Sequence, residues 1–199
     1  VNTENGNAQW YKEDETTGQD VVTEDFSEAD RYFIGKQAIP DITGGFGANV
    51  QVGDFSLGLQ FAYQVGGYGL DNEYFGLLGA TQNVTNFADY DKTWTVDNPT
   101  ASLPRVDPLS SNQYNTSDLY LVDLSYLSLS NINVSYTLNN EAIKKYHIDN
   151  VRFYGTIGNA FLLYSARQGY DPRMNSVGSS SAEYGANRTI AFGVNINLN

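Results

Sequence analysis

From Phe55 to Val65, large apolar side chains take strict turns with small or amide ones. Phe55, Leu57, Leu59, Phe61, Tyr63 and Val65 alternate with Ser56, Gly58, Gln60, Ala62 and Gln64. A period of two marks a β-strand with one greasy face. The second face constrains the fold further. A strand of a soluble sandwich turns Lys, Glu or Arg toward bulk water, but here that face holds only Ser, Gly, Gln and Ala. From Phe46 to Val65 the sole charged residue is Asp54. Strands of membrane barrels are poor in charge in this way. A charge on the lipid face costs about 2–4 kcal/mol at the midplane, and the other face lines a crowded, hydrated lumen.

Four more segments follow the same rule. Around 42–52, Phe46, Ala48, Val50 and Val52 alternate with Gly47, Asn49 and Gln51, and Gly53-Asp54 then reads as a type II′ hairpin turn with its glycine first. In 119–138, Leu127 and Leu129 stand in one phase and Ile132, Val134, Tyr136 and Leu138 in the other. The slip at Ser130-Asn131 predicts a β-bulge that restores the facing. Segment 151–164 sets Val151, Phe153 and Ile157 against Arg152, Tyr154 and Thr156. Segment 188–199 sets Ile190, Phe192, Val194, Ile196 and Leu198 against Ala191, Gly193, Asn195 and Asn197. Helical spacing is confined to short stretches near 72–79 and 141–146. The fold class is therefore all-β.

The connections alternate in length. Residues 1–41 form an acidic stretch expected to be a loop leading into the barrel. After it come the turn 53–54, the long loop 67–117, the moderate turn 139–150 and the long loop 165–187. Outer-membrane barrels have short periplasmic turns and long extracellular loops. The parity predicts that 1–41, 67–117 and 165–187 are extracellular, that 53–54 and 139–150 are periplasmic, and that the C-terminus is periplasmic. Five strands cannot close a barrel, which needs at least about eight, and an open sheet in lipid leaves backbone groups unsatisfied. Residues 42–199 are thus expected to be the C-terminal strands of a larger antiparallel transmembrane barrel, completed by another piece of the same protein.

Composition removes several other classes. No stretch approaches the roughly 18 apolar residues that a membrane helix needs. A formal net charge of -12 argues against nucleic acid. With Cys 0, neither a disulfide framework nor a thiolate metal site can form. The chain opens Val-Asn-Thr-Glu-Asn with no secretory leader pattern, so an upstream part is expected. No catalytic constellation is visible: His147 is the lone histidine, in a turn-like Lys144-Lys145-Tyr146-His147 run, and no phosphate-binding glycine pattern or nucleophile elbow occurs. Asp89-Tyr90-Asp91 lacks the glycine and distal glutamate of a calcium loop. The chain is read as a non-enzyme without metal or cofactor.

Specific runs resemble a known family. Tyr32 through Gly35, Pro40 and Gly44-Gly45-Phe46, continuing to Phe61-Ala62-Tyr63-Gln64-Val65-Gly66-Gly67, is similar to the late-barrel region of SusC/RagA-type TonB-dependent outer-membrane transporters. So are Ser125-Tyr126-Leu127-Ser128-Leu129-Ser130-Asn131-Ile132 and Val134-Ser135-Tyr136-Thr137-Leu138. Gly158-Asn159-Ala160-Phe161 with Gly169-Tyr170-Asp171-Pro172 resembles the penultimate strand and the loop after it. Arg188-Thr189-Ile190-Ala191-Phe192-Gly193-Val194-Asn195-Ile196-Asn197 resembles the final strand. Family members commonly end on an aromatic residue, whereas this chain ends Leu198-Asn199. The resemblance implies a barrel of about 22 strands and a SusD-like surface lipoprotein over its outer mouth. It also implies energy from TonB, engaged through an N-terminal part with the plug, and import of an oligosaccharide or oligopeptide.

Two sets of residues carry the functional expectations. Phe55, Leu57, Leu59, Phe61, Ile190, Phe192, Val194 and Ile196 are expected to face lipid, with Ser56, Gln60, Asn195 and Asn197 on the lumen side. Tyr68, Tyr74, Phe75, Trp94 and Tyr114 of the long loop, with Tyr170, are expected to meet cargo or a lid protein, because rings beside amides and carboxylates suit sugars and peptides. The competing expectation is that these rings pack the loop on itself. A competing class is a secreted or surface β-sandwich carbohydrate-binding module, a lectin-like adhesin, which would stay soluble without detergent.

Overall fold

The computed structural model describes residues 1–79, 88–107, 117–167, 169–174 and 185–198. The chain divides into two compact units, one of Val1–Lys36 with Leu70–Leu121 and one of Gln37–Gly69 with Val122–Asn199.

The second unit is built on one antiparallel sheet of five strands in chain order: β3 (Ile42–Val52), β4 (Phe55–Val65), β7 (Tyr126–Leu138), β8 (Ile148–Ser165) and β9 (Thr189–Leu198). The hairpin β3–β4 pairs over its full length, from Ile42 opposite Val65 to Val52 opposite Phe55. Gly53 takes φ +58 while Asp54 keeps a negative φ, as the type II′ turn requires. Between β4 and β7 the register passes from Gln60–Asn131 directly to Phe61–Leu129, so Ser130 is the extra residue. The bulge lies where the phase slip predicts it. Strand β8 covers the expected 151–164 and adds Ile148–Asn150 and Ser165, while irregularities opposite Leu127–Ser128 and Leu129–Asn131 break its alternation beyond Ile157. The connection from β7 to β8 holds a single-turn helix, α2 (Glu141–Lys144), capped by Asn140, whose side chain accepts from the backbone N–H groups of Ala142 and Ile143. His147, exposed and at φ +60, closes that turn.

The first unit has little regular structure. Strands β1 (Trp10–Glu13) and β2 (Asp20–Thr23) form a hairpin inside the acidic stretch, where the sequence suggests only a loop. Asp14 organises its turn by accepting from the N–H groups of Thr16 at 2.8 Å and Thr17 at 2.9 Å. Helix α1 (Asn72–Gly79) confirms the helical spacing near 72–79. The unit's small core is Leu103 and Tyr120, with Leu70 and Tyr74 packed against them. Two short strands, β5 (Tyr68–Leu70) and β6 (Leu121–Asp123), pair with each other.

Candidate functional site: the two faces of the sheet

The register carries each apolar position of one strand to an apolar or glycine position of the next. Across β4 and β7, Phe55 meets Tyr136, Leu57 meets Val134, Leu59 meets Ile132 and Phe61 meets Leu129. From β8 to β9, Val151 meets Ile196, Phe153 meets Val194, Gly155 meets Phe192 and Ile157 meets Ile190. A bulge at Ser130 is what makes this continuous, since a slip of one residue would turn the upper half of β7 inside out. The result is one apolar face across five strands, and it is exposed: Val52 is 71% accessible, Ile190 57% and Phe192 85%. The residues expected to face lipid all lie on it, Leu57, Leu59 and Phe61 half-buried among their neighbours.

Aromatic rings on this face cover glycines on adjacent strands. The Phe46 and Phe61 rings stack with centroids 4.7 Å apart. A Cβ added to Gly44 would lie 2.7 Å from the Tyr63 hydroxyl, and one added to Gly155 would lie 3.2 Å from the Phe192 ring. Such cross-strand pairs pin the register that the side-chain alternation proposes.

The opposite face is a ladder of hydroxyls and amides. Ser56 and Ser135 hydroxyls lie 3.2 Å apart, Asn131 Nδ2 donates to Gln60 Oε1 at 3.0 Å, and Asn197 Nδ2 donates to Asn150 Oδ1 at 3.0 Å. Arg152 Nη2 donates to Ser135 Oγ at 3.1 Å. The polar groups thus bond across strands, and at the end of the ladder the Asp149 carboxylate accepts from Asn150 Nδ2 at 3.0 Å.

After β8 the chain is held by a clasp that the sequence did not flag as functional. Arg173 donates through Nε and Nη2 to the two Asp171 oxygens, at 2.8 and 2.6 Å, and through Nη1 to Asn159 Oδ1. Burial pushes the Asp171 carboxyl up, but the Arg173 hydrogen bonds and charge outweigh it and hold the carboxyl below its ordinary value. Asn159 takes φ +51, a conformation that Asn tolerates better than most residues. The two runs quoted for the resemblance, Gly158-Asn159-Ala160-Phe161 and Gly169-Tyr170-Asp171-Pro172, supply its Asn159 and Asp171.

The aromatics expected to meet cargo or a lid have varied surroundings. Tyr74 packs on the Leu103–Tyr120 core and donates its hydroxyl to Asp89 at 2.9 Å. Burial, with Tyr74 adding, pushes the Tyr120 hydroxyl up to about 12, so it stays neutral as a packing group. Trp94 is half-buried, lies over Gly6 and donates from its indole N–H to the Thr3 carbonyl at 3.2 Å. Tyr68 is half-buried on β5, and its backbone N–H donates to the Gln37 carbonyl at 2.8 Å. Tyr170 is half-buried, with its carbonyl accepting from Ser165 Oγ at 3.2 Å. Phe75 lies on α1, and Tyr114 lies outside the described residues. Asp89 also pairs with Lys92 at 2.6 Å. Among the described residues no cluster of His, Cys, Asp or Glu could hold a metal ion, and no helix is long and apolar enough to cross a membrane, which says nothing of strands.

No protein-family model matches the chain. It is 30% identical over 183 residues to the TonB-dependent receptor P3 of Formosa agariphila, a match covering 86% of this chain and 18% of that receptor. Over most of its length this chain resembles one stretch of a TonB-dependent receptor. The fold agrees. The RagAB peptide transporter superposes with a TM-score of 0.79 at 23% identity, over 98% of this chain and 21% of that one. The RagAB importer in its "open-open" state gives 0.77 at 24% identity, and in its "closed-closed" state 0.78 at 23%. The chain thus spans about a fifth of the length of the proteins it matches. Those relatives are receptors and transporters, not enzymes. The β-sandwich alternative is overturned: the apolar face, instead of lying in a core between two sheets, is exposed and belongs to a barrel wall.

Proposed function

We propose that this chain supplies wall strands and outer loops to a TonB-dependent outer-membrane importer for large nutrients, either oligosaccharides or oligopeptides. The observation that carries this reading is the exposed apolar face, gathered by register from all five strands. Monomeric soluble proteins rarely expose a contiguous apolar patch beyond a few hundred Å². Strand length supports it too. Soluble strands run about 5–6 residues, whereas β3 and β4 have 11 each and β9 has 10. Strands of about 9–11 residues, tilted about 45°, cross a bilayer core.

In this reading Phe55, Leu57, Leu59, Phe61, Ile190, Phe192, Val194 and Ile196 meet lipid, and the hydroxyl–amide face lines the lumen. The turns 53–54 and 139–150 and the C-terminus are periplasmic. Residues 1–41, 67–117 and 165–187 are extracellular, and cargo or a SusD-like surface lipoprotein meets this side of the protein, with Tyr68, Phe75, Tyr114 and Tyr170 the candidate contacts. Tyr74 and Trp94 serve mainly to shape the loop. The rest of the barrel, the plug and the TonB-contacting segment come from the remainder of the protein.

With Cys 0 in the chain, single cysteines provide a direct test in the complete receptor after any cysteines elsewhere in it are replaced. Cys at 57, 59, 190 and 192 should react with a lipid-soluble maleimide and resist a charged one in outer membranes. Cys at 60 and 195 should show the reverse once the lumen is opened by detergent. Equal labelling of both sets by the charged reagent would end the membrane reading.

A further inference from the structure

Across β3, β4, β7, β8 and β9, the paired positions of the polar face hold mostly Thr, Gly, Asn, Gln, Ser, Ala and Tyr, and the one cation among them is Arg152; the carboxylate of these strands, Asp149, sits at the register shift near the start of β8 and accepts from Asn150 Nδ2 at 3.0 Å. Arg152 is exposed, pairs across to Thr137 on one side and Asn195 on the other, and bonds the Ser135 hydroxyl at 3.1 Å. No ion pair forms on it among the described residues. The guanidinium carries five N–H donors, so one hydroxyl leaves most of them for another partner. It borders a concavity of about 580 Å³ together with Asn49, Gln51, Ser56, Asn133 and Asn195, a wall that offers amides and hydroxyls and no carboxylate.

We propose that Arg152 receives an Asp or Glu side chain from a segment of the same protein, outside residues 1–199, that fills the lumen at this level. The inference rests on the reading that the polar face lines the lumen. Three observations choose this occupant. The site lies at the end of the sheet joined by the short connections, Gly53-Asp54 and 139–150, remote from the long loops suited to first contact with cargo. The chain makes up about a fifth of its relatives' length, which leaves ample material to occupy a lumen that barrels of this size keep plugged. Finally, a lumen-filling segment removes water from this wall, and an unpaired buried guanidinium is strongly unfavourable. An apolar filler would therefore be expelled where a carboxylate is held. Arg also offers the planar fork that grips a carboxylate in two places.

The test uses the complete receptor in outer membranes. A photo-reactive phenylalanine analogue at position 152 should cross-link within the same polypeptide, to a peptide outside residues 1–199 that contains Asp or Glu. Arg152→Glu should raise sensitivity to a large antibiotic several-fold by loosening the filler, with heat-modifiable gel mobility of the barrel unchanged. Arg152→Lys should stay near the parent. Cross-linking to lipid would refute the facing itself, and with it the proposed function. Cross-links only within residues 1–199, or to a separate protein, would overturn the Arg152 proposal while leaving the barrel reading intact. So would a variant that alters only the cargo concentration giving half-maximal uptake, since Arg152 would then be a cargo contact.

Discussion

The two units of this chain solve the same problem, ordering a polypeptide rich in aromatics and glycine, by opposite means. In the second unit backbone hydrogen bonds between neighbouring strands carry the order, and register sorts most strand side chains to one of two faces. The first unit has short strands, a helix of 8 residues and a small core of leucine and tyrosine side chains. Its order comes from individual side chains reaching distant partners, such as the Trp94 indole to the Thr3 carbonyl and the Asn2, Asn5 and Asn7 amides to the Glu24 carboxylate. A periodic sheet tolerates many substitutions provided each face keeps its character. A unit tied by a few specific contacts depends on those contacts one by one.

The comparison breaks most sharply at two adjacent residues of β4. Leu59 lies on the apolar face and Gln60 on the polar one, both near mid-strand. Leu59→Arg in the complete receptor should cost about 2–4 kcal/mol, as charges do at the lipid midplane, and leave little folded barrel. Gln60→Arg gives up one hydrogen bond, to Asn131, and should cost about 1 kcal/mol. Folded fraction from unboiled gel mobility of purified outer membranes reads both. Equal losses would mean that facing does not govern this sheet.

A second substitution sharpens the contrast from the side of the first unit. Gly6 has φ +76, and an added Cβ would lie 2.5 Å from the Trp94 ring. Both the backbone strain and the clash act against Gly6→Ala, at about 1–3 kcal/mol for the conformation alone. The segment before β1 should detach from Trp94, seen as faster cleavage by an external protease at residues 1–8, with the barrel still folded. In the sheet, Gly58→Ala should do far less to protease resistance, because Gly58 has ordinary φ and its nearest neighbour is the movable Asn49 amide. If Gly6→Ala leaves cleavage unchanged, the unit is not held by point contacts.

What was legible in the sequence follows the same division. The hairpin turn at Gly53-Asp54, the limits of β3 and β4 and the bulge at Ser130 could all be read, because a period of two is a local property and its interruption is visible. The extent of β8 to 164 could be read too, but not the facing of its far half: Asn159, Ala160 and Leu163 have no partner in the register with β7 and lose their phase. The β1–β2 hairpin was hidden because Trp10-Tyr11-Lys12-Glu13 is short and charged, and its pairing depends on Asp14 folding the turn. Of the candidate aromatics, sequence named the rings but could not assign their partners. Tyr74 reaches Asp89, fifteen residues on, and Trp94 reaches Thr3, ninety-one residues back, and no local pattern encodes such pairings.

The smallest expected effect isolates electrostatics in the first unit. Glu24 accepts from Asn7 Nδ2 at 2.6 Å, Asn2 Nδ2 at 2.5 Å and Asn5 Nδ2 at 3.2 Å. These bonds, the Asn7 one foremost, hold its carboxyl below the ordinary glutamate value despite some burial, and Arg105 adds to the effect. A folded pKa below the unfolded one gives stabilisation that is fully present above about pH 4.3. It is lost as pH falls through the lowered folded value. The segment tied here is short, closed by Gly6 N–H to Asn2 carbonyl and Asn2 N–H to Asn7 carbonyl, each 2.9 Å. Hydrogen exchange of these amides, corrected for the intrinsic rate at each pH, should show protection that is constant near neutrality and declines in the acid range. Glu24→Gln keeps the shape and one acceptor oxygen but removes the charge, so it should lower protection at neutral pH and flatten the acid decline. The sheet amides of β4, whose partners are backbone carbonyls, should not change over the same range. An acid decline shared equally by both units would assign it to general loosening of the receptor and leave Glu24 no special part.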